Sequence, residues 1–168
     1  MLIQQNVNGS NEFNRSWAEY KVGFNDSRGN YWLGNDLLHQ LTQDGRYKLR
    51  ADMQSRWLST NYSVYYAEYS SFVVLSEADN YRMQVSGYSG NAGDALSYQN
   101  GRMFTTYDRD NDRWINNLFN DNCAVMTGGG FWYNDRGCAY AGVNAVRRVE
   151  FLWYNVRLMS VRMWLMCR

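Results

Sequence analysis

Hydrophobic side chains near the start of this chain recur at the spacing of a helix. Phe13, Trp17, Tyr20 and Phe24 follow one another every three or four positions, which predicts an amphipathic helix. Asn14 can cap the amino end of that helix, because its side chain can accept a hydrogen bond from a free backbone amide.

A second short helix is predicted within GNDLLHQLTQ. Asn35 or Asp36 can cap it, and Leu37, Leu38 and Leu41 would lie on one face.

The hydrophobic period changes from helical to two after residue 46. YKLRADM and NYRMQVSG alternate apolar and polar residues, and VYYAEYSSFVVLSE predicts a strand pair or one long strand. Residues 156–165 predict a final strand. Between residues 87 and 142 the chain is rich in Gly, Asn, Asp and Ser with aromatics, which predicts a long, irregular functional region. The pattern as a whole predicts an α+β fold.

Composition narrows the class of protein. A length of 168 residues suits one domain spanning residues 1–168. With 17 basic and 16 acidic residues and a net charge of +1, the chain lacks the basic stripe that nucleic acid or an anionic membrane requires. No segment approaches the ~20 apolar residues of a membrane span, so no membrane insertion is expected.

Cysteines and glycosylation sequons indicate a secreted protein. The chain has three cysteines and four Asn-x-Ser sequons, at Asn8, Asn14, Asn25 and Asn61. Asn25 and Asn61 lie in polar stretches, which makes them the better acceptors. Asn14 is a poorer one, because it opens a helix whose face is expected to be buried.

The segment TTYDRDNDRWINN places aspartates at the alternate positions 108, 110 and 112. An EF-hand loop starting at Asp108 needs Gly at its sixth position and an acid at its twelfth. Arg113 and Phe119 stand there instead, so this is not an EF-hand. The spacing alone leaves two interpretations open, a different calcium loop and a solvated turn.

The remaining chemistry-bearing residues do not assemble into a catalytic set. Cys123 and Cys138 form either a disulfide, which would stabilise by about 3 kcal/mol in the chain-entropy model, or two free thiols. The single histidine and the absence of a CxxC pair argue against zinc. That histidine, His39, is expected to pack and to form a hydrogen bond. No enzyme is predicted.

Seven segments of this chain resemble, in order, the fibrinogen-like C-terminal domain of fibrinogens, ficolins, tachylectins, tenascins and angiopoietins. They are FNRSWAEYKVGF, YWLGNDLLHQLT, YKLRADM, AEYSSFVVLSEADNYRMQVSGYSGNAGDAL, NGRMFTTYDRDND, NCAVMTGGGFWY and VRLMSVRM. The resemblance implies an antiparallel sheet flanked by short helices, with a loop-rich calcium and ligand region. It also implies a secreted, non-catalytic recognition domain.

The resemblance favours the calcium interpretation of the aspartate run. It implies one Ca²⁺ ion held by the carboxylates of Asp110 and Asp112 and by the backbone carbonyls of Trp114 and Asn116. Asp108 would support the loop rather than touch the ion.

The resemblance also places a ligand pocket beside the calcium loop. Its candidate residues here are Trp132, Tyr133, Gly137, Cys138 and Tyr140, although Trp132 also suits plain core packing. A cis peptide is expected between Gly137 and Cys138, and we predict that Cys138 pairs with Cys123.

Several departures from the family pattern bear on function. The chain begins inside the family pattern, so the usual N-terminal subdomain is expected to be missing. Ala139 replaces a common histidine, Val143-Asn144-Ala145 replaces Leu-Asn-Gly, and the stretch after Ala145 is short. Two hypotheses therefore remain: a lectin-like domain that binds acetylated or acidic glycan groups, and a module that binds or assembles extracellular proteins as a homo- or hetero-oligomer.

Cys167 has no partner once the other two cysteines pair. A leftover cysteine in a secreted protein indicates an intermolecular disulfide or a reactive thiol, so we predict an interchain bond. Its apolar neighbours at residues 163–166 are expected to need cover from the missing N-terminal subdomain or from a partner chain.

Overall fold

The computed structural model describes residues 1–7, 9, 11–55, 63–115, 121–135, 137–146 and 151–168. The strands are β1 (Leu2–Val7), β2 (Phe24–Asn25), β3 (Tyr31–Trp32), β4 (Tyr47–Ser55), β5 (Ser63–Val74), β6 (Met83–Gly90), β7 (Phe104–Thr105), β8 (Phe131–Trp132), β9 (Leu152–Trp153), β10 (Val156–Arg157) and β11 (Ser160–Cys167). The helices are α1 (Trp17–Val22), α2 (Asn35–Thr42) and α3 (Cys123–Thr127).

The core is built on a seven-stranded sheet with the order β2-β3-β1-β11-β4-β5-β6. All of its neighbouring strands run antiparallel, while β7-β8 and β9-β10 form two small separate ladders. The α+β prediction is confirmed. Among the described residues, no helix is long and apolar enough to span a membrane.

The alternation predicted for the strands is confirmed in the registers. Leu49, Ala51 and Met53 of β4 are buried on one face, and the first two lie opposite the buried Leu165 and Met163 of β11. VYYAEYSSFVVLSE forms the one long strand β5 rather than a pair. Because side chains alternate along a strand, one face of this sheet carries the core.

The final strand lies inside the sheet rather than at its edge. Strand β11 pairs with β1 on one side and with β4 on the other. Met163 and Leu165 are therefore buried within this chain, and the expectation that residues 163–166 all need outside cover is wrong. Trp164 is half-buried and Met166 is 37% exposed.

Helix α1 is shorter than its apolar spacing predicts. It begins after Ser16, whose side chain accepts a hydrogen bond from the Glu19 amide while the Glu19 side chain bonds back, forming a capping box. Ser16 therefore takes the place predicted for Asn14. Phe13 precedes the helix and Phe24 follows it in β2.

Helix α2 is confirmed, with two local corrections. Gly34 is its N-cap, and Asn35 is the first helical residue. Leu38 is fully buried, but Leu37 is 45% exposed and does not share the buried face. His39 packs as expected, with Nδ1 2.9 Å from the carbonyl oxygen of Val74.

Candidate calcium and ligand site

The aspartate run follows β7 directly, and its first member holds the loop to the rest of the domain. Asp108 Oδ1 accepts hydrogen bonds from the Trp17 backbone amide (2.9 Å) and from the Thr106 hydroxyl (2.7 Å). The Trp17 amide opens α1 and has no acceptor within that helix. Asp108 thus has the contacts of a residue that supports the loop.

The other two aspartates lie close together, and their carboxylates repel one another. Asp110 Oδ1 accepts a hydrogen bond from the Asp112 amide at 3.2 Å. Burial raises the pKa of Asp112 to about 6, and repulsion from Asp110 and Asp121 adds to that rise. The pKa of Asp110 is also raised, first by burial and then by Asp121. Within the described ranges, neither Asp110 nor Asp112 forms an ion pair with a basic side chain.

This donor set fits a hard cation such as Ca²⁺, which prefers oxygen ligands and tolerates irregular geometry. The described part of the chain has no group of three or more His, Cys, Asp or Glu side chains arranged to hold a metal, so carbonyl and water oxygens would have to complete the two carboxylates. Trp114 is half-buried and donates its amide to Asp112 Oδ1 at 3.0 Å. The other predicted carbonyl ligand, Asn116, lies outside the described residues.

The predicted disulfide between Cys123 and Cys138 is confirmed, with the two Cα atoms 5.5 Å apart. Cys123 is the first residue of α3, which Asn122 caps by accepting from two backbone amides. The Cys123 amide donates to Asp112 Oδ2 at 3.0 Å. The aspartate loop is therefore linked through α3 and the disulfide to the segment around Cys138.

The expected cis peptide before Cys138 is absent, since the described residues contain no cis peptide bond. Cys138 instead adopts a positive φ of 60°, and its carbonyl accepts a hydrogen bond from the Asn134 amide at 2.5 Å. A trans bond avoids the ~3–4 kcal/mol cost of a non-proline cis peptide.

Two of the predicted pocket residues are core residues in the structure. Trp132 is fully buried and donates its indole N–H to the Tyr81 carbonyl at 2.7 Å. Tyr133 is 1% exposed, and its hydroxyl is bonded to Thr127. Trp132 is therefore not accessible to a ligand, and Tyr133 contributes only to the wall of a small cleft beside the aspartate loop.

The remaining pocket candidates lie near the surface. Gly137 is exposed, and the disulfide-bonded Cys138 is 5% exposed. Tyr140 is 39% exposed. Of the five predicted residues, Tyr140 therefore presents the largest accessible aromatic surface.

Tyr140 belongs to a patch of three exposed tyrosines that the sequence did not reveal. Its ring centroid lies 4.3 Å from that of Tyr98 and 6.0 Å from that of Tyr154. Tyr98 is 43% exposed and Tyr154 is 45% exposed. We call these three residues the tyrosine patch.

Buried contacts hold the tyrosine patch in place. The Gln99 side chain is fully buried and accepts hydrogen bonds from the amides of Tyr140 (3.1 Å) and Ala141 (2.6 Å). The Tyr154 amide donates to the Tyr140 carbonyl at 2.6 Å. Gly93 has φ +90°, and a Cβ there would come within 2.7 Å of the Tyr154 ring. Glycine is thus required for the ring to lie where it does.

The structure places the two described glycosylation candidates at the surface. Asn25 is exposed in β2, and Asn14 is exposed ahead of α1. The face of α1 that follows Asn14 is buried as expected, through Trp17 and Tyr20, but Asn14 itself is exposed. Asn8 and Asn61 lie outside the described residues.

The family model for the C-terminal globular domain of fibrinogen beta and gamma chains matches residues 1–156. This chain belongs to that family. Protein scabrous of Drosophila melanogaster is 38% identical over 153 residues, covering 91% of this chain and 18% of scabrous. Microfibril-associated glycoprotein 4 of Mus musculus is 41% identical over 145 residues, covering 85% of this chain and 54% of that protein. The chain thus spans only part of either relative.

Solved structures of fibrinogen-like domains share this fold. The fibrinogen-like globe domain of human ANGPTL2 superposes with a TM-score of 0.81 and 34% identity, covering 99% of this chain and 79% of that one. A lamprey fibrin D-dimer, solved with the peptide ligand Gly-His-Arg-Pro-amide, gives a TM-score of 0.80 and 29% identity over 98% of this chain and 60% of that one. The family's relatives are secreted or extracellular-matrix proteins, in which such domains serve recognition or assembly.

Proposed function

We propose that this chain is a secreted, calcium-binding recognition domain that binds acetylated or acidic glycan groups at the tyrosine patch. The observation that carries the proposal is the contact between the exposed rings of Tyr98, Tyr140 and Tyr154. Tyrosine offers an apolar ring and a polar hydroxyl, which suits a sugar with one apolar and one polar face.

The calcium loop would act on the patch through a hydrogen bond and the disulfide. Asp112 accepts a hydrogen bond from the Cys123 amide, Cys123 is linked to Cys138, and Tyr140 follows Cys138 by two residues. Calcium would hold the charged loop in one conformation because it neutralises the repulsion between Asp110 and Asp112. It would thereby fix the position of Tyr140 and support binding without touching the sugar.

Tyr140→Ala is expected to weaken the binding of N-acetylglucosamine between about twofold and about tenfold, because one aromatic contact contributes ~0.5–1.5 kcal/mol. The measurement is a calorimetric or NMR titration in calcium and again in chelator, where wild-type binding should also weaken. Tyr98→Ala tests a second ring of the patch.

Tyr66→Ala is the matched control for these variants. Tyr66 is 37% exposed in β5, where its neighbour Ala67 is buried. Its ring lies under the Arg50 guanidinium, on the face of the sheet opposite the core. The Tyr66→Ala variant should bind the sugar as the wild type does. If Tyr98→Ala and Tyr140→Ala match this control, the tyrosine patch is not the glycan site.

The alternative function is protein binding or covalent assembly, which the exposed free thiol of Cys167 favours. Cys167 ends β11 opposite Tyr47 of β4, beside the partly exposed Met166. The peptide in the lamprey fibrin structure is a ligand of that protein, and it supports this hypothesis by analogy within the family.

Cys167→Ser is expected to shift secreted material from a disulfide-linked species to a monomer in non-reducing electrophoresis, because no other cysteine in this chain is free. Reduction of the wild type should give the same monomer band. A wild type that already migrates as a monomer without reduction would exclude covalent assembly through this residue.

A further inference from the structure

A small polar cleft lies beside the aspartate loop, apart from the tyrosine patch. Its volume is about 120 Å³, and its wall includes the guanidinium-bearing side chains of Arg82, Arg102 and Arg113. We call it the arginine cleft. Three separate segments of the chain supply these arginines: the start of β6, the turn before β7 and the aspartate loop.

The three arginines retain unused hydrogen-bonding capacity. The Arg82 side chain donates to the Gly101 carbonyl at 2.8 Å and has no other hydrogen bond within the described residues. Arg102 pairs with Asp135 through both terminal nitrogens, at 3.2 and 3.0 Å, while its Nε has no hydrogen-bond partner among the described residues. Arg113 has neither a hydrogen bond nor an ion pair in the described part of the chain.

The charge balance of the cleft favours an anion. Asp112 also lines it and opposes an anion, and Asp135 offsets Arg102. Of the charged side chains that line the cleft, three are guanidinium groups and one is the Asp112 carboxylate, an excess of two positive charges (3 − 1 = 2), which Asp135 and Asp110 lower from outside the lining. Guanidinium groups match the oxygens of sulfate, phosphate and carboxylate groups in geometry as well as in charge.

The size of the cleft restricts what can enter it. Pockets that enclose a drug-sized molecule have volumes of roughly 300–1,000 Å³, so this cleft admits a charged group and not the sugar ring that carries it. Asn111 also lines the cleft. Its side-chain nitrogen Nδ2 donates to the Phe104 carbonyl, which fixes the loop beside the arginines.

We propose that the arginine cleft binds a compact oxyanion, such as the sulfate group of an extracellular glycan. This site does not depend on the tyrosine patch, and either proposal can fail without the other. The oxyanion would contact Arg82 and Arg113 directly, while Arg102, held by Asp135, shapes the base of the cleft.

The test is a titration at low ionic strength with three probes: inorganic sulfate, N-acetylglucosamine 6-sulfate and unsulfated N-acetylglucosamine. Low salt is needed because exposed charges are screened within ~10 Å at 0.1 M. Arg113→Ala and Arg82→Ala are each expected to weaken binding of the sulfated sugar about tenfold. Neither should change binding of the unsulfated sugar, which reports on the tyrosine patch.

Arg46→Ala is the matched control, since it removes one positive charge from an exposed residue that pairs with Asp44 and does not line the cleft. It should leave sulfate binding unchanged. Arg82 lies outside the aspartate loop, so its variant tests the cleft even if Arg113→Ala disturbs that loop.

Three outcomes would overturn the proposal: no binding of inorganic sulfate or of the sulfated sugar, binding by all variants equal to that of the wild type, or an equal loss in all variants including Arg46→Ala. Arginine-dependent binding of both inorganic sulfate and the sulfated sugar would show that the oxyanion is sufficient. Arginine-dependent binding of the sulfated sugar alone would support the glycan as its carrier.

Discussion

Replacing Asp110 and Asp112 together with Ala is expected to abolish the stabilisation of this domain by calcium. Extracellular calcium modules bind with dissociation constants of about 10⁻⁴–10⁻³ M. At about 10 mM calcium, the wild type should gain ~1.4–2.7 kcal/mol in the free energy of unfolding. For a chain of this size, that corresponds to a rise in melting temperature of roughly 3–10 °C. The double variant should show none.

The pH dependence of the calcium effect follows from the raised pKa of Asp112. Its folded-state pKa of about 6 lies above the ordinary value of 3.8 for an aspartate. Without calcium, its charged form therefore costs stability, and the loss develops as the pH rises from about 4 through about 6. Calcium requires that charged form, so its stabilising effect should be larger at pH 7.5 than at pH 5.

Asp108→Ala is the control for the calcium experiment. It removes the acceptor for the Trp17 amide, which should lower stability by ~1 kcal/mol, yet the calcium-dependent rise in melting temperature should remain. Melting curves by circular dichroism, with calcium and with chelator, measure both effects. A double variant that still shows the wild-type rise would refute the assignment of the two carboxylates.

The parts of this site that the sequence predicts are the local ones. Asp110 and Asp112 are two residues apart, so their proximity follows from the chain itself, and YKLRADM shows its buried face through its alternation. The pairing of Cys123 with Cys138 is also predictable, because only three cysteines are present and the family pattern selects two of them.

Long-range pairing decides the parts that the sequence does not predict. Tyr98 and Tyr140 are 42 residues apart in sequence (140 − 98 = 42), and the hydrogen bonds of the buried Gln99 side chain to the amides of residues 140 and 141 help to bring their rings together. The predicted start of α1, at Asn14, is wrong for a different reason. Both Asn14 and Ser16 are good caps, and the Glu19 side chain, three residues after Ser16, decides between them.

Burial also explains why Trp132 and Tyr140, both predicted for the pocket, have different roles in the structure. The Trp132 ring packs edge-on against Phe104 with centroids 5.2 Å apart, and against Phe72 at 6.2 Å. It joins β8 to the core face of the sheet. The sequence shows both residues as aromatics in a loop-rich region, and only the strand pairing separates them.

Trp132→Ala is therefore expected to lower the free energy of unfolding by about 3–5 kcal/mol, the usual cost of truncating a buried tryptophan. That is a large share of the 5–15 kcal/mol that stabilises a typical domain, and the hydrogen bond to the Tyr81 carbonyl is lost as well. Tyr140→Ala, at a 39% exposed ring, should cost no more than about 1 kcal/mol while weakening glycan binding. Urea denaturation of both variants, beside a sugar titration, separates the two roles. A Trp132→Ala protein with wild-type stability and no sugar binding would mean that Trp132 contacts the ligand and that its burial here is not the functional state.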